Sequence, residues 1–492
     1  VAFSIQAVDK PNFVIIFIDD MGYGDIGPFG SKINRTPHLD RLASEGMRLT
    51  NAYTAAPVCV PARMAFMTSR HPSRNEVWTN GHMLSSAAPT WAHAVGAAGY
   101  ETALIGRMHF VGSDQRHGFE RRPLGEYSAH YPGAGRVGGP MFKSIPSSTS
   151  GQIREAVEIA GYGRTTYQAF DEQVAEAGVA YLKEKAREGR PFAAVAGFVL
   201  PHCPFFAPKA LFDYYYERVD IPEPSAAELA VEPAAIGRFK RNRDIERPLP
   251  AERIRVARAA YFGLCEYFDA QVGKLLAALD ETGLADNTLV VYLSDHGEMA
   301  GEHGCWWKSN YYEGSVGVPL IARWPGHIAA GAVDDTLCSL LDLGPLAVEL
   351  AAGEPLPGAD GHSLWPVLAG QEDRARPDAV YSELGSRPGE PPSRMIRQGR
   401  WKLYQYGAES PALFDLEADP DELCDLGTAA GPAAVRDELL ARLNRDWDPR
   451  KVAVRSAELA RDAEVIAAWG QVVGPRHEDT LPVPDVEAVV RV

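Results

Sequence analysis

Short apolar runs rich in β-branched residues recur along this chain, and patterns typical of helices separate them. The runs are Phe13–Ile18, Thr102–Ile105, Phe192–Val199 and Leu289–Leu293. A short run that is apolar throughout is typical of a strand buried on both faces of a parallel sheet. A long helical pattern lies at Ile254–Asp280. The alternation predicts an α/β fold with a large central, mostly parallel sheet flanked by helices.

The C-terminal part of the chain has a different pattern. With 492 residues the chain exceeds what one hydrophobic core usually supports, so we expect a second, smaller domain. After the polar segment Glu372–Asp378, short strand-like pieces follow one another and are joined by tight turns. These pieces are Ala379–Glu383, Arg394–Gln398, Trp401–Tyr406 and Leu413–Leu416. With a helix candidate at Ala433–Arg445, they predict a C-terminal α+β domain over residues 376–492, containing an antiparallel sheet, and an N-terminal domain over residues 1–375.

The charge balance bears on the partners of the chain. It has 49 basic and 65 acidic side chains, a net charge of −16, and no long basic run. Nucleic acid is therefore not an expected partner, because binding it requires a clustered basic surface. No apolar stretch is long enough to span a membrane, so we expect no membrane partner. The tail beyond Trp447 is a candidate for contacts in a homo-oligomer.

The cysteines bear on the compartment. Six of them are scattered along the chain without a C-x-x-C pair. If one is modified, an odd number remains, which argues against a disulfide framework. We therefore expect the cytoplasm, and the alternative is a periplasmic or secreted protein from which a leader has been removed.

The segment Cys59–Arg63 combines a thiol, a proline and an arginine in one turn of chain. Pro61 predicts the first position of a helix, where its missing N–H costs nothing. Cys59 would then lie at a helix N-terminus, where free N–H groups and the helix dipole favour negative charge. Arg63 adds a permanent positive charge one turn further along. The segment therefore predicts a nucleophile beside a group that holds an anion.

Acidic residues follow two of the predicted strands directly. Asp19 and Asp20 follow the first run, and Asp295 and His296 follow the last. In open α/β sheets, ligands bind outside the carboxyl ends of the strands, so these four side chains are expected to converge. Three carboxylates and an imidazole suit a hard divalent cation, Ca²⁺ first and Mg²⁺ or Mn²⁺ as alternatives. The alternative reading of each acid alone is a turn former or a helix cap.

Taken together, the Cys-x-Pro-x-Arg segment, the early Asp-Asp pair and the late Ser-Asp-His-Gly segment resemble the sulfatase family. The resemblance extends from Pro11 to about Asp425. It implies an alkaline-phosphatase-like fold and conversion of Cys59 to formylglycine by a formylglycine-generating enzyme. The hydrated aldehyde would be the nucleophile, next to a metal held by the four residues after the strands. Many members of the family carry Asn where this chain has His296.

Three further segments match the family. They are Gly106–His109, where Arg107 replaces a usual lysine, Pro201–Phe205, which contains His202, and Trp306–Ser309, which contains Lys308. The resemblance implies that Lys308 and Arg107 contact the sulfate, with Arg63 and the metal supporting the nucleophile. It also implies that His109 is a base, and that His202, with Lys308, protonates the leaving alcohol. Arginine binds as a planar fork and cannot donate a proton.

Some segments resemble the choline-sulfatase branch of the family. Met108–Gly112, Asp114–Gln115 and His117–Glu120 match it, and Asn80 falls where that branch has a substrate-contacting asparagine. The segment Gly304–Trp307 and the arginine of the Gly106–His109 segment depart from it. We expect a small sulfated organic substrate, and carbohydrate, aryl and alkyl sulfates all stay open. A phosphonate monoester or phosphodiester hydrolase with the same nucleophile is the main alternative, and a non-catalytic anion-binding protein is the third.

Overall fold

The computed structural model describes residues 10–126, 131, 152–222, 224, 232–386, 390–475, 478–479 and 489–491. In chain order the strands are β1 (Asn12–Asp19), β2 (Met47–Leu49), β3 (Ala52–Tyr53), β4 (Glu101–Gly106), β5 (Arg121–Leu124), β6 (Gly161–Gly163), β7 (Phe192–Pro201), β8 (Phe206–Ala207), β9 (Thr288–Ser294), β10 (Leu320–Arg323), β11 (Ala332–Asp334), β12 (Cys338–Ser339), β13 (Ala379–Leu384), β14 (Ser393–Gln398), β15 (Trp401–Tyr406), β16 (Ala412–Asp415) and β17 (Val489–Arg491).

The α-helices alternate with the strands in the first two thirds of the chain. They are α1 (Pro37–Ser44), α2 (Cys59–Thr68), α3 (Pro72–Asn75), α4 (Trp91–Ala97), α5 (Arg154–Glu158), α6 (Thr166–Glu188), α7 (Lys209–Tyr216), α8 (Ala234–Asn242), α9 (Ala251–Thr282), α10 (Glu313–Val316), α11 (Leu343–Leu350), α12 (Trp365–Leu368), α13 (Ala433–Leu443) and α14 (Pro449–Val473). Among the described residues, none of these helices is both long and apolar enough to cross a bilayer.

An eight-stranded sheet forms the centre of the molecule, in the order β11-β2-β10-β9-β1-β7-β4-β5. The strands β9, β1, β7, β4 and β5 run parallel to one another, whereas β10 is antiparallel to both β9 and β2. The four apolar runs form the core of this sheet, and the register places Phe13 between Leu289 and Ala193. The predicted α/β fold class is confirmed.

The central strand β1 is buried along its whole length because helices cover both faces of the sheet. Val14, Ile16 and Ile18 belong to one apolar cluster, which includes residues of α6 and α9. Phe13, Ile15 and Phe17 belong to another, which includes residues of α2, α4 and α11. Successive side chains of a strand point to opposite faces, so a continuous apolar run is what a sheet covered on both faces requires.

A second sheet, β13-β14-β15-β16, is an antiparallel meander at the positions that the strand-like pieces predicted. The helix α13 packs against it through Leu439 and Leu443. Beyond Trp447 the chain forms the long helix α14, and β17 then pairs with β6. The domain boundary near residue 375 stays a prediction.

The region over residues 111–165, rich in glycine, proline, serine and histidine, contains β5, α5 and β6. Residues 127–130 and 132–151 of this region lie outside the described residues. Because the sequence of this region has no clear periodicity, it predicts a long insertion that shapes a substrate pocket, and this stays a prediction.

The predicted start of the helix that carries the thiol was wrong. Val58 is the N-cap of α2 and Cys59 its first residue, so Pro61 is the third residue and not the first. The carbonyl of Val58 already accepts the amide of Ala62 at 2.9 Å. A proline fits here because N–H groups throughout the first helical turn have no partner within the helix. The thiol still lies at the helix N-terminus, as predicted.

Candidate active site

Ten of the predicted site residues meet at the carboxyl edge of the central sheet. They are Asp19, Asp20, Cys59, Arg63, Arg107, His109, His202, Asp295, His296 and Lys308. Because β9, β1, β7 and β4 are parallel neighbours, the loops after all four strands leave the sheet at this edge. Apart from Arg107 and His109, which are partly exposed, these residues are buried.

The thiol of Cys59 occupies the centre of this cluster. Its Sγ lies 3.3 Å from Asp19 Oδ1 and 3.3 Å from His296 Nε2. The amide of the next residue, Val60, donates to Asn80 Oδ1 at 3.0 Å. Asn80 therefore supports the first turn of α2 from a separate loop, because it accepts one of the N–H groups that a helix start leaves unpaired. Its contact with substrate stays a prediction.

The guanidinium of Arg63 joins three strand ends. Its Nε donates to Asp295 Oδ2 at 2.8 Å, and its Nη2 donates to the carbonyl of Ile18 at 3.0 Å. Its Nη1 donates to the carbonyl of Arg107 at 3.2 Å, and Asp19 Oδ2 lies 3.4 Å from Nη2. Arg63 is fully buried, so its charge balances carboxylates that have little access to water.

Arg107 links the first strand to the predicted base. Its Nε donates to Asp19 Oδ2 at 2.8 Å, and its Nη2 lies 2.8 Å from His109 Nδ1. Because an arginine can only donate, Nδ1 must be the acceptor, and the neutral ring then carries its proton on Nε2. Burial and the charge of Arg107 hold the pKa of His109 well below its usual value, which favours the neutral ring. His109 is predicted to accept a proton. For Nδ1 to do so, Arg107 must release it and turn towards the sulfate group that Arg107 is predicted to contact.

Lys308 and His202 approach the site from the side of Asp20. Lys308 Nζ donates to Asp20 Oδ1, and His202 Nε2 lies 3.6 Å from Asp20 Oδ2. Burial would lower the pKa of Lys308, but the charge of Asp20 raises it well above its usual value. Burial and the charge of Lys308 lower the pKa of His202 to about 4. Near neutral pH, Lys308 therefore carries a proton that it can donate and His202 does not.

The ligand atoms of the predicted metal site lie close together. One atom each from Asp19, Cys59, Asp295 and His296 lies within 4.8 Å of the others, and Asp19, Asp20 and His202 form a second such group. The buried Asp20 Oδ2 has no hydrogen-bond partner among the described residues. Buried polar atoms are rarely left without a partner, so this oxygen fits a position that faces a cation. The donor set fits a divalent metal ion.

The protonation of His296 opposes metal binding. Burial would lower its pKa, but the charge of Asp295 raises it well above its usual value. Its Nδ1 lies 3.1 Å from Asp20 Oδ1, a distance at which a protonated ring donates to the carboxylate. A histidine must lose its proton to bind a metal. In the absence of a cation, His296 is therefore held in the form that cannot act as a ligand.

We expect the affinity for a divalent cation such as Ca²⁺ to increase as the pH rises towards the raised pKa of His296, because metal binding must release the proton of this ring. Isothermal titration calorimetry in two buffers with different ionisation enthalpies measures the number of protons released. The matched control is His296→Asn, which keeps a ligand and removes the titrating group. An equal pH dependence in the variant and the wild-type protein would contradict the prediction.

Sequence motifs did not indicate three buried carboxylates that support the loops of this site. Glu126 accepts amides of the His109 loop, Asp171 accepts two amides before His202, and Glu298 accepts the amide of Trp307 before Lys308. Each lies away in sequence from the segment that it holds. A carboxylate that accepts backbone amides has no fixed spacing from the segment that it supports, so a single sequence does not reveal it.

Two family models match the chain. The model described as Sulfatase matches residues 11–353, and the model described as N-sulphoglucosamine sulphohydrolase, C-terminal, matches residues 301–448.

Relatives align along most of the chain. A choline-sulfatase of Rhizobium meliloti (strain 1021) is 35% identical over 92% of this chain and 90% of its own length. A steryl-sulfatase of Mus musculus is 31% identical over 96% of this chain and 83% of its own length.

Solved structures share the fold. A phosphonate monoester hydrolase of Agrobacterium radiobacter superposes with a TM-score of 0.72 at 22% identity, covering 92% of this chain and 96% of that one. A 2-O GAG sulfatase superposes with a TM-score of 0.70 at 24% identity, covering 92% of this chain and 94% of that one.

Proposed function

The chain belongs to the sulfatase family and is a sulfuric ester hydrolase, and on that premise we propose that Cys59, converted to formylglycine, is its nucleophile. The observation that carries the proposal is the position of Cys59 Sγ, 3.3 Å from both Asp19 and His296 at the meeting point of the strand ends. A nucleophile at this point has positive charge on several sides, from Arg63, Arg107 and Lys308. Positive charge fixed in a buried site stabilises negative charge that develops on a transferring sulfate.

The chemistry follows from the hydrated aldehyde, which carries two hydroxyl groups on one carbon. One hydroxyl releases its proton to solvent and attacks the sulfur in line, so that an oxygen–sulfur bond forms while the bond from sulfur to the ester oxygen breaks. Lys308 donates a proton to the departing alcohol oxygen. The second hydroxyl then loses its proton, the aldehyde re-forms, and inorganic sulfate leaves. One water molecule restores the hydrate and Lys308 regains a proton from solvent, so one ester and one water give alcohol, sulfate and one proton.

The remaining residues position the anion and the nucleophile. Arg107 has the planar fork that matches two sulfate oxygens, and contact with sulfate would release His109 Nδ1 to accept the proton of the second hydroxyl. A divalent cation held by Asp19, Asp20, Asp295 and His296 would supply charge that favours the deprotonated hydroxyl. We propose Ca²⁺ first because carboxylate oxygens dominate the donor set.

The proposed substrate is a small alkyl sulfate of the choline sulfate class. Support comes from the choline-sulfatase relative, which aligns with 92% of this chain. We retain the cytoplasm as the proposed compartment, since all six cysteines are free thiols in the structure. A modifying enzyme that forms formylglycine is the proposed protein partner, and a homo-oligomer stays a prediction.

Mass spectrometry of the tryptic peptide Leu49–Arg63 tests the nucleophile. We expect a peptide about 18 mass units lighter than the unmodified one, since an aldehyde oxygen replaces the thiol. The same preparation should hydrolyse a sulfate ester faster than a phosphonate ester with the same leaving group. An unmodified cysteine in an active preparation would contradict the nucleophile, and faster phosphonate hydrolysis would favour the alternative function.

A further inference from the structure

The loop after β4 adopts a conformation that needs external support. His109 has a φ of 60°, in the left-handed region that a residue with a Cβ atom rarely adopts. This conformation follows Arg107 by two residues, and it sets the direction in which the His109 ring points. The surroundings of the loop must therefore hold it against its intrinsic preference.

The carboxylate of Glu126 provides that support. Its Oε1 accepts the amide of Met108 at 3.1 Å and the amide of His109 at 2.8 Å. Its Oε2 also accepts the amide of His109, at 3.1 Å. Two successive amides converge on one carboxylate, and hydrogen bonds to an ionised acceptor are stronger than neutral ones. Glu126 is buried, so water does not compete for these bonds.

The side chains of Arg122 and Gln115 extend this support to the carbonyl groups of the same loop. Arg122 Nη2 donates to Glu126 Oε1 at 3.0 Å and lies 3.4 Å from the carbonyl of Gly106. Gln115 Nε2 donates to the carbonyls of Phe110 and Gly112 at 3.0 and 2.8 Å. Arg122 also donates to the carbonyl of Gln115. The loop is thus held through both its amides and its carbonyls by one connected, buried network.

We propose that Glu126 is a positioning residue for sulfate ester hydrolysis, acting through the backbone of Met108 and His109. It fixes the left-handed turn that places the His109 ring 2.8 Å from the Arg107 guanidinium. The inference rests on the proposed function, in which these two residues contact the sulfate and the nucleophile. The carboxylate of Glu126 accepts hydrogen bonds from the backbone of this loop and from Arg122, so it acts on the reaction through the loop.

Asp269 offers a matched control for this role. It is a buried carboxylate on α9 that accepts two successive amides, those of His38 and Leu39, at 3.1 and 2.8 Å. These amides belong to the first turn of α1, away from the catalytic loops. Asp269→Asn therefore removes the same kind of interaction as Glu126→Gln without touching the site. A general cost of losing a buried amide acceptor would appear in both variants.

The first measurement is steady-state hydrolysis of 4-nitrophenyl sulfate by preparations in which formylglycine has been verified. For Glu126→Gln we expect kcat to fall by roughly 10-fold to 100-fold, the usual effect of removing a group that orients a site residue. We expect KM to change by less than about threefold, and Asp269→Asn to keep the wild-type kcat. Glu126→Gln leaves the buried charge of Arg122 without its partner, which can prevent folding. In that case the double variant Glu126→Gln/Arg122→Met, which removes both buried charges, is measured instead.

The second measurement does not depend on activity. In protein labelled with ¹⁵N-histidine, Glu126→Gln should shift the His109 ring nitrogen resonances and the pH at which they titrate, and Asp269→Asn should leave both unchanged. Unchanged His109 resonances, or a kcat within about twofold of wild type, would overturn the positioning role. A different outcome is that Glu126→Gln shifts the His109 resonances but the wild-type protein hydrolyses no sulfate ester. That outcome would contradict the proposed function and leave the role of Glu126 in positioning the loop intact.

Discussion

Replacement of Cys59 by alanine is expected to abolish sulfate ester hydrolysis, with kcat/KM falling by roughly 10⁵-fold or more. Alanine has no group that can become an aldehyde, so the hydrated nucleophile cannot form. The charges around it, from Arg63, Arg107 and Lys308, remain and retain anion binding. The measurement is the release of 4-nitrophenol from its sulfate ester, with binding of inorganic sulfate followed separately.

The matched control for this variant is Cys338→Ala. Cys338 is as buried as Cys59 but lies in β12, away from the carboxyl edge of the central sheet. Relative to the modified protein, Cys59→Ala removes an aldehyde oxygen and Cys338→Ala removes a sulfur atom. Each is one small group in a packed interior, so the effects on thermal stability should be similar. Only the Cys59 variant should lose activity. Retention of hydrolysis by a folded Cys59→Ala protein would exclude the proposed nucleophile, and loss in both variants would indicate a general folding effect.

The central sheet could be predicted from the sequence because a strand that is buried on both faces has a continuous run of apolar residues. The four runs are apolar at nearly every position, with Thr102 as the buried polar exception, and all four are strands of the sheet. The small meander was predictable for a different reason, since its strands are short and follow one another with tight turns such as that at Gly399. Local sequence determines both features.

The cluster of site residues was predictable because short motifs sit at the ends of those strands. Asp19 is the last residue of β1 and Asp295 follows β9 directly, and the parallel arrangement brings them to one edge. Details that depend on partners distant in sequence were not predictable. The start of α2 was predicted at Pro61, two residues after its actual start at Cys59, because a proline is tolerated throughout the first helical turn. Glu126 lies 17 residues from His109, and no motif connects a buried acceptor to the loop that it holds.

Replacement of Arg63 by methionine is expected to destabilise the protein by about 3–5 kcal/mol in the presence of a chelator. The substitution keeps much of the side-chain volume but removes the Arg63 charge from beside two buried carboxylates, Asp295 and Asp19. Asp19 keeps its ion pair with Arg107, so the larger effect is expected at Asp295. It also leaves the carbonyls of Ile18 and Arg107 without a donor. Burial already raises the pKa of Asp295, with the charge of Asp19 adding to the effect, and loss of Arg63 should raise it further. Part of the expected cost is therefore the energy of protonating that carboxyl.

The matched control is Arg35→Met. Arg35 makes an equally close bidentate pair with Glu266, at 2.8 and 2.7 Å, but 46% of its side chain is exposed. Because water screens this pair, its loss should cost about 0–1 kcal/mol. Urea unfolding followed by tryptophan fluorescence compares the two variants with wild type. A cost for Arg63→Met no larger than that for Arg35→Met would show that the buried carboxylates do not depend on Arg63.

Repeating the comparison in excess Ca²⁺ separates the structural role of Arg63 from its role beside the nucleophile. A bound cation supplies positive charge to the same carboxylates, so the loss of stability in Arg63→Met should be smaller with Ca²⁺ than with chelator. The loss of activity should persist, because the cation cannot reproduce the three donor directions that join β1, β9 and the loop after β4. Equal instability with and without Ca²⁺ would place the cation away from Asp19 and Asp295. Recovery of activity by Arg63→Met in Ca²⁺ would show that the role of Arg63 is to balance the charge of the buried carboxylates.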